Sequence, residues 1–318
     1  MASLKIDKKP VAVPQPKKLS LMKKVKRDWQ LLLILLPGLI FYIIFRYGPM
    51  YGMVIAFKDY NVYKGIINSP WVGLKHFRNF FTDPAFIKLF RNTFMLGIYN
   101  LFFTFPFPIL FAILLNEVRN IKFKKAVQTA SYLPSFLSIV IISSMVIDFL
   151  SPSNGIINNI IAFLGMEKIY FMIRPEWFRT VYVASEVWAR MGFDAILFIA
   201  AITGIDQALY EAAELDGCGR LKKMWYITIP SILPTIATLF ILKSGSVFRI
   251  GFEKVLLLYN PATYEVADIF ATYVYRKGFE DMNYSYAAAV GLFESIVALT
   301  MLLITNAISK KLSEQSIW

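Results

Sequence analysis

The chain has 318 residues, of which 57% are hydrophobic and 17% are charged, and its mean hydropathy is +0.54. A soluble domain usually has about 25% charged and about 45–50% apolar residues, so this composition excludes an ordinary soluble protein and predicts an all-α integral membrane protein with one membrane domain. The net charge of +13 does not indicate a nucleic-acid-binding protein, because nine of the 34 Lys and Arg residues lie within residues 1–28.

The N-terminal segment, residues 1–28, is predicted to be a basic cytoplasmic tail. It contains Pro10, Pro14 and Pro16 besides its basic residues, and it is too polar to form a buried core. Basic flanks of apolar helices stay in the cytoplasm, so the simplest role of the tail is to set the orientation of the chain. Binding of lipid or of a partner protein is the alternative.

Residues 29–318 are predicted to form the transmembrane domain. Near-continuous apolar runs of about 17–25 residues, the length that crosses a bilayer, occur six times. The predicted spans are Trp29–Phe45, Thr93–Leu115, Ala126–Leu150, Val181–Thr203, Pro230–Ser246 and Tyr286–Ile308. Lys243 interrupts the fifth run and Arg249 follows it, so that span is the least regular of the six.

Six spans place both termini on the same side of the membrane. The segments assigned to that side, residues 1–28, 116–125, 204–229 and 309–318, together hold 18 Lys and Arg residues, a higher density than that of the longer segments on the other side. Because basic loops stay inside, both termini are predicted to be cytoplasmic.

The segments assigned to the outer side, residues 47–92, 151–180 and 247–285, are too long to be tight turns. We expect short surface helices in them, for example at Ile156–Leu164. The Tyr-rich stretch Phe252–Met282 is too polar to span lipid and is expected to line a cavity enclosed by protein. An interfacial belt of aromatic residues is the alternative explanation for its tyrosines.

The fourth predicted span contains Glu186, Arg190 and Asp194 at intervals of four, which places all three on one helical face. Ionisable side chains are costly in a bilayer, so this face is expected to turn toward a pore or a partner helix. One interpretation is a self-neutralising structural triad, and the other is that Arg190 lines the path of a cargo. The further candidates for such a path are Trp188, Lys243, Arg249 and Tyr275.

The loop between the fourth and fifth predicted spans contains the most informative pattern. Asp206 is a good N-cap for a helix over Gln207–Asp216, and Gly217 is placed to end that helix in a left-handed conformation. A second short helix is expected at Arg220–Tyr226, with Pro230 opening the next span. The alternative is a solvated connecting loop.

The spacing within this loop resembles the EAA signature of ABC importer permeases: Glu211-Ala212-Ala213, three residues, Gly217, nine residues, then Ile227-Thr228-Ile229-Pro230. In that family the motif forms a coupling helix, which sits in a cleft of a separate ATPase. The resemblance implies a coupling loop over residues 204–229, with contact residues Glu211, Ala212, Ala213, Glu214, Asp216, Gly217, Ile227 and Pro230. Cys218 stands where many relatives have a residue like alanine.

Stretches elsewhere in the chain resemble the LplB branch of the MalF-type sugar permeases, over roughly residues 25–318. Examples are Pro49–Gly52, Ser69–Gly73, Tyr132–Pro134, Glu253–Pro261 and Tyr273–Arg276. The resemblance implies the type I (MetI-like) permease fold, import of an oligosaccharide or polysaccharide, and a bacterial inner-membrane location. An alginate importer's permease lies near this branch, and cations such as Arg190 and Lys243 would suit an acidic, alginate-like sugar.

The resemblance also implies the partners: a second permease subunit that completes a heterodimeric pore, two ATPase subunits and an extracytoplasmic solute-binding protein, all in contact with or close to membrane lipid. The sequence has no Gly-x-x-x-x-Gly-Lys-Ser/Thr loop to cradle phosphates. ATP and Mg²⁺ are therefore expected on the partner ATPase, with no cofactor, metal or catalytic residue on this chain.

Other functions remain open at the level of sequence. The EAA loop would serve a permease for peptides or ions equally well. A membrane enzyme would need a nucleophile, a base or a metal set, and the chain has one histidine, His76, and one cysteine, Cys218. A passive channel would need no helix for docking an ATPase, so co-purification with an ATPase separates an importer from both.

Overall fold

The computed structural model describes residues 26–245, 247–248 and 250–313. Most of the predicted basic tail therefore lies outside the described residues, as does the candidate pathway residue Arg249. Within the described part of the chain the structure is helical and forms no strand, and an isolated antiparallel bridge joins Lys58 to Trp71. The prediction of an all-α protein is confirmed.

The helices are, in chain order, α1 (Trp29–Tyr42), α2 (Gly48–Met50), α3 (Gly65–Asn68), α4 (Lys75–Thr82), α5 (Ala85–Thr104), α6 (Pro106–Asn116), α7 (Ile121–Tyr132), α8 (Ile139–Leu150), α9 (Ile156–Phe163), α10 (Pro175–Thr203), α11 (Gln207–Leu215), α12 (Arg220–Lys223), α13 (Ile229–Ser244), α14 (Phe252–Leu258), α15 (Tyr264–Ala267), α16 (Phe270–Tyr275) and α17 (Tyr284–Ser313). Short π-helical turns lie at Ile43–Tyr47, Met224–Thr228 and Arg276–Glu280. Turns of 3-10 helix lie at Tyr51–Phe57, Leu133–Phe136 and Phe171–Ile173.

The chain divides into two compact units, Met1–Met53 and Val54–Trp318. In the first unit, α1 has the sequence WQLLLILLPGLIFY, and none of its residues is buried. A helix that is apolar all round is suited to lipid or to the interior of an assembly. The helical run that starts at Trp29 continues to Phe57, past the predicted end at Phe45.

The helices that are long and apolar enough to cross a membrane number four among the described residues, or up to six if two bent pairs each count as one span. The four are Trp29–Phe57, Ala85–Asn116, Arg220–Ser244 and Tyr284–Ala307. The bent pairs are Ile121–Phe136 with Ile139–Leu150, and Pro175–Thr203 with Gln207–Leu215. This set agrees with the prediction of about six spans.

The predicted third span, Ala126–Leu150, is not one straight helix, because α7 and α8 meet at an angle of 108°. Pro134 is the second residue of the 3-10 turn Leu133–Phe136 that follows α7, and Leu137 is extended. The hydroxyl of Ser138 then accepts the Ile141 N–H at 3.3 Å and caps the new helix. A proline followed by an N-capping serine is a stop and a restart, which an apolar run cannot reveal by its length.

The fifth span also differs from its prediction. The helix begins at Arg220 and runs without a break to Ser244, so Arg220–Tyr226 is its first part and not a separate helix. Pro230 lacks an N–H and would clash with the carbonyl four residues earlier in a regular helix. The π-helical turn at Met224–Thr228 widens the helix just before this proline, which lets the chain continue through it.

Helix α10 lies in the core of the second unit, where it packs against α5, α6, α7 and α15. Its N-terminal half contributes to one buried cluster through Val181 and Tyr182, and its C-terminal half contributes to another through Phe198 and Ile202. Between them, a Cβ atom on Gly192 would lie 2.3 Å from the carbonyl oxygen of Ser131. Helix α7 therefore crosses α10 in backbone contact.

Short helices form in the segments assigned to the outer side, as predicted. Helices α3 and α4 lie in the first segment, α9 replaces the predicted Ile156–Leu164, and α14, α15 and α16 lie in the third. These elements fold back onto the long helices: the Tyr60 N–H, for example, donates to the hydroxyl of Ser285 at 2.9 Å.

Candidate functional site

Helix α11 is closed at both ends by the residues that the sequence predicts. The carboxylate of Asp206 accepts the Ala208 N–H at 3.0 Å and caps the first turn. At the other end Gly217 has φ +71°, the Gly217 N–H donates to the Glu214 carbonyl at 3.0 Å, and the Cys218 N–H donates to the Ala213 carbonyl at 2.9 Å. This is a complete Schellman motif, so the helix has one defined length.

Two contacts hold α11 against the start of the fifth span. The hydroxyls of Tyr210 and Thr228 are 2.8 Å apart, and the Lys223 ammonium donates to the Glu214 carboxylate at 2.5 Å. The hydrogen bond from Lys223, together with its charge, holds the pKa of the Glu214 carboxyl below its usual range. Ile227 and Tyr210 both pack against the buried cluster that contains Phe198 and Ile202, so the side of α11 that faces the protein is held in place.

The outward side of α11 is exposed and mixes acidic with apolar side chains. Glu211, Ala212, Glu214 and Asp216 are exposed, and Ala213 is half-buried. Beside them large apolar side chains face outward at Leu209, Leu215, Leu221, Trp225 and Tyr226, with Leu215 90% exposed. The EAA pattern predicts roles for the acidic and small residues but not for these apolar ones, of which Leu221, Trp225 and Tyr226 lie between Gly217 and Ile227.

A second group of functional candidates forms a continuous chain of alternating charges. Lys254 contacts Glu186 at 2.7 Å, and Arg190 lies 3.9 Å from Glu186 and 3.8 Å from Asp194. Lys243 follows at 3.5 Å from Asp194. Sequence spacing correctly places Glu186, Arg190 and Asp194 on one face, and the structure adds a cation at each end, of which Lys254 was missed.

Burial is uneven along this chain of charges. The side chain of Lys254 is 1% exposed, whereas that of Arg190 is 60% exposed. Arg190 lines a cavity of about 280 Å³ together with Glu186, Lys254 and the rings of Phe136 and Phe193. With three cations and two carboxylates, the five side chains have a net charge of +1, and the exposed member is a cation.

The remaining pathway candidates lie elsewhere. Trp188 packs edge-on against Phe149, with ring centroids 6.3 Å apart, and lines an apolar cavity of about 500 Å³. This cavity lies on another side of α10 from Arg190, because positions two residues apart on a helix differ by about 200° in direction. Tyr275 lies between Phe252 and Phe279, with ring centroids 5.4 and 5.3 Å away. The sequence grouped these residues with Arg190, and the structure does not bring them together.

Two of the outer tyrosines make hydrogen bonds within the protein. Tyr273 and Tyr286 donate to the carboxylate of Asp83 at 2.8 and 2.7 Å. Partial burial raises the pKa of Asp83, but the hydrogen bonds from the Ala85 N–H and the two hydroxyls outweigh it and leave the pKa below its usual range. These tyrosines hold the outer segments together and are not available to stack on a cargo.

A family model described as "Binding-protein-dependent transport system inner membrane component" matches residues 84–314, which is more than half of the chain. The chain belongs to this family. The permease is therefore a transport subunit and not an enzyme, and it is a multi-pass inner-membrane protein.

Two relatives from Bacillus subtilis (strain 168) match nearly the whole permease. The polygalacturonan/rhamnogalacturonan transport system permease protein YteP is 46% identical over 308 residues, covering 97% of this chain and 96% of YteP. Protein LplB is 45% identical over 302 residues, covering 95% of both chains. These relatives confirm the resemblance to the LplB branch.

Solved structures give the same result for the fold. A bacterial ABC transporter involved in the import of the acidic polysaccharide alginate matches with a TM-score of 0.84 and 44% identity, over 92% of this chain and 99% of that chain. The bacterial alginate ABC transporter in complex with an alginate pentasaccharide-bound periplasmic protein also matches with a TM-score of 0.84, at 43% identity. The permease thus has the fold of an ABC importer subunit.

Proposed function

We propose that this permease is one transmembrane subunit of a binding-protein-dependent ABC importer for acidic oligosaccharides or polysaccharides. The similar YteP is named for polygalacturonan and rhamnogalacturonan, and the similar solved importer takes up alginate. Both cargoes contain uronate units. A net positive group of pathway candidates agrees with a cargo of this charge.

The observation that carries the proposal is the exposed and doubly capped helix α11. Its acidic and apolar outer side, with Leu215 at its C-terminal end, is a suitable contact for a cleft in an ATPase subunit, and its base is braced by Lys223 and Thr228. These contacts would transmit movement of the ATPase subunits from α11 to the helix Arg220–Ser244. ATP and Mg²⁺ belong to the ATPase in this scheme.

The complete importer has four further parts in this proposal. A second permease subunit completes the pore as a heterodimer, two ATPase subunits dock on the cytoplasmic side, and an extracytoplasmic binding protein delivers the sugar. The solved complex with a sugar-bound periplasmic protein supports the last assignment. Both termini of the permease, including the basic tail, face the cytoplasm because the basic loops stay inside.

The cargo passes close to Arg190, with Lys243 as the neighbouring cation on the fifth span. A guanidinium presents planar paired donors that match a carboxylate, and sugar hydroxyls also accept from it. Arg190 lies beside the rings of Phe136 and Phe193 in the 280 Å³ cavity, and apolar ring faces pack well on pyranose rings. Trp188, Tyr275 and Arg249 stay as candidates for more distant contacts.

The test measures the ATPase activity of the reconstituted complex with its binding protein, and uptake into vesicles, in the presence of uronate oligosaccharides, neutral oligosaccharides or peptides. Stimulation by a uronate oligomer, accompanied by its uptake into vesicles, is the expected result. Stimulation by peptides alone would replace the sugar with another cargo. Transport without a bound ATPase would contradict the importer as a whole.

A further inference from the structure

Lys254 is a buried cation for which the sequence predicted no role, although it lies in the stretch Glu253–Pro261. Its ammonium contacts the Glu186 carboxylate at 2.7 Å and donates to the Tyr182 carbonyl at 3.2 Å, and it lies 4.9 Å from the centre of the Tyr182 ring. Its neighbours Val255 and Leu258 are buried in the core cluster. The position of the charge is therefore fixed by the packing of α14 against α10.

Glu186 is held by Lys254 and not by Arg190. One carboxylate oxygen is within hydrogen-bonding distance of Lys254, whereas the other is 3.9 Å from the Arg190 guanidinium. Hydrogen bonds between nitrogen and oxygen usually span about 2.7–3.2 Å, so the contact with Arg190 is an attraction between charges without a hydrogen bond. Lys254 therefore offsets most of the negative charge of the Glu186 carboxylate, which would otherwise interact with Arg190.

Arg190 consequently keeps its donors open. Its second contact, with Asp194, is 3.8 Å long, and Asp194 also faces Lys243 at 3.5 Å. Among the described residues no side chain or carbonyl accepts a hydrogen bond from Arg190, and 60% of its side chain is exposed. An exposed guanidinium without a hydrogen-bond acceptor can bind a carboxylate, because the two oxygens of a carboxylate match its paired N–H donors.

We propose that Lys254 is a positioning residue for cargo selection: it retains Glu186 and so leaves the Arg190 guanidinium free to bind a carboxylate of the sugar. Without Lys254, the Glu186 carboxylate can close the gap to Arg190 and form the paired hydrogen bonds itself. The acidic sugar would then compete with a permanent internal partner. This inference rests on the proposed function, because it concerns the same site and an acidic cargo.

The alternative role of Lys254 is a structural tie between α14 and α10. The two roles differ in their dependence on Arg190. A positioning residue acts through Arg190, so its loss has no further effect once Arg190 is gone. A structural tie acts on the whole pore, so its loss lowers transport by the same factor whether Arg190 is present or not.

The experiment measures initial uptake of an oligogalacturonate by the complete reconstituted complex with its binding protein. We expect Lys254→Met and Arg190→Ala each to lower uptake at least about tenfold, as for the loss of a charge-assisted hydrogen bond. The double variant should be within about threefold of Arg190→Ala. Losses that multiply in the double variant would overturn the inference and leave the proposed function intact.

A second pair of variants covers the possibility that Lys254→Met does not assemble. Lys254→Met with Glu186→Gln removes both charges of the buried pair, so that neither is left without its partner, and its uptake should return to within about threefold of wild type. Low uptake by this variant, in normally assembled complex, would contradict the proposal. Lys75→Met removes an exposed lysine paired with Asp59 at 3.3 Å and serves as the control. Absence of oligogalacturonate uptake by wild type removes the proposed function, and the inference with it.

Discussion

At the scale of single residues, the ends of α11 were predictable because capping is local chemistry. Asp206 and Gly217 act on backbone groups within a few residues of themselves, so the local sequence is enough to predict their capping roles. Lys254 was not predictable in this way. Its partner Glu186 is 68 residues away, and helical spacing indicates only neighbours three or four residues apart.

A side chain at position 217 would be strained by the backbone conformation and not by steric overlap with neighbouring atoms. No atom lies within 4 Å of a Cβ placed on Gly217, but its φ is +71°. Gly217→Val should strain the Schellman motif by about 1–2 kcal/mol and reduce the sugar transported per ATP hydrolysed. Gly217→Asn, which tolerates this conformation, should stay close to wild type. Equal coupling in the two variants would show that the left-handed turn is not needed.

At the scale of elements, apolar composition located the spans but not their breaks. The bend at Pro134 and the passage of the fifth span through Pro230 both depend on hydrogen bonding around a proline. One proline is followed by a capping serine and ends its helix, and the other is preceded by a π-helical turn and does not. A proline has the same hydropathy value in both places, so a hydropathy profile cannot distinguish them.

The crossing of α7 over α10 requires glycine at position 192. Gly192→Ala would place a Cβ 2.3 Å from the Ser131 carbonyl oxygen and push the helices apart, at a cost of about 1–3 kcal/mol. We expect a lower melting temperature for the purified complex. Gly204→Ala, at the end of the same helix, meets its first neighbour at 3.5 Å and should melt like wild type. Equal melting temperatures for the two variants would contradict close backbone contact between α7 and α10 at Gly192.

The outward side of α11 gives a prediction about docking. Leu215 is 90% exposed, and burying a leucine in a partner contributes about 1.5–3 kcal/mol. Leu215→Asp should therefore weaken retention of the ATPase subunit at least about tenfold in a pull-down of the permease. Leu164→Asp changes a leucine that is 64% exposed on the predicted outer side, and it should retain the ATPase fully. Loss of the ATPase in both variants would indicate misfolding.

At the scale of the whole molecule, the fold class and the family followed from composition and from one loop. The density of basic residues also predicts which side faces the cytoplasm, because charge acts on the chain as it enters the membrane. The grouping of Arg190 with Trp188 and Tyr275 did not follow. It depends on how α10 and the outer helices turn relative to one another, and that is decided by packing throughout the unit.

The orientation can be tested with the native cysteine. Cys218 follows Gly217 and is partly exposed, and the sequence contains no other cysteine. A membrane-impermeant maleimide should label it in inverted vesicles from cells that lack the ATPase, and not in right-side-out vesicles. The Cys218→Ser variant, which lacks the labelled thiol, measures the background labelling. Labelling from the outer side would reverse the topology and exclude α11 as a contact for a cytoplasmic ATPase.

The unbroken helix from Arg220 to Ser244 has a mechanical consequence. Its 25 residues make a rod about 38 Å long, so a tilt of about 5° at the foot displaces the far end by about 3 Å. Lys243 is next to that far end, and its distance to Asp194 is 3.5 Å. A displacement of this size is comparable to the Lys243–Asp194 distance, so a small tilt of the helix is enough to break or restore that ion pair. In the proposed importer, movement of the ATPase subunits at Arg220 would in this way change the electrostatic field near Arg190.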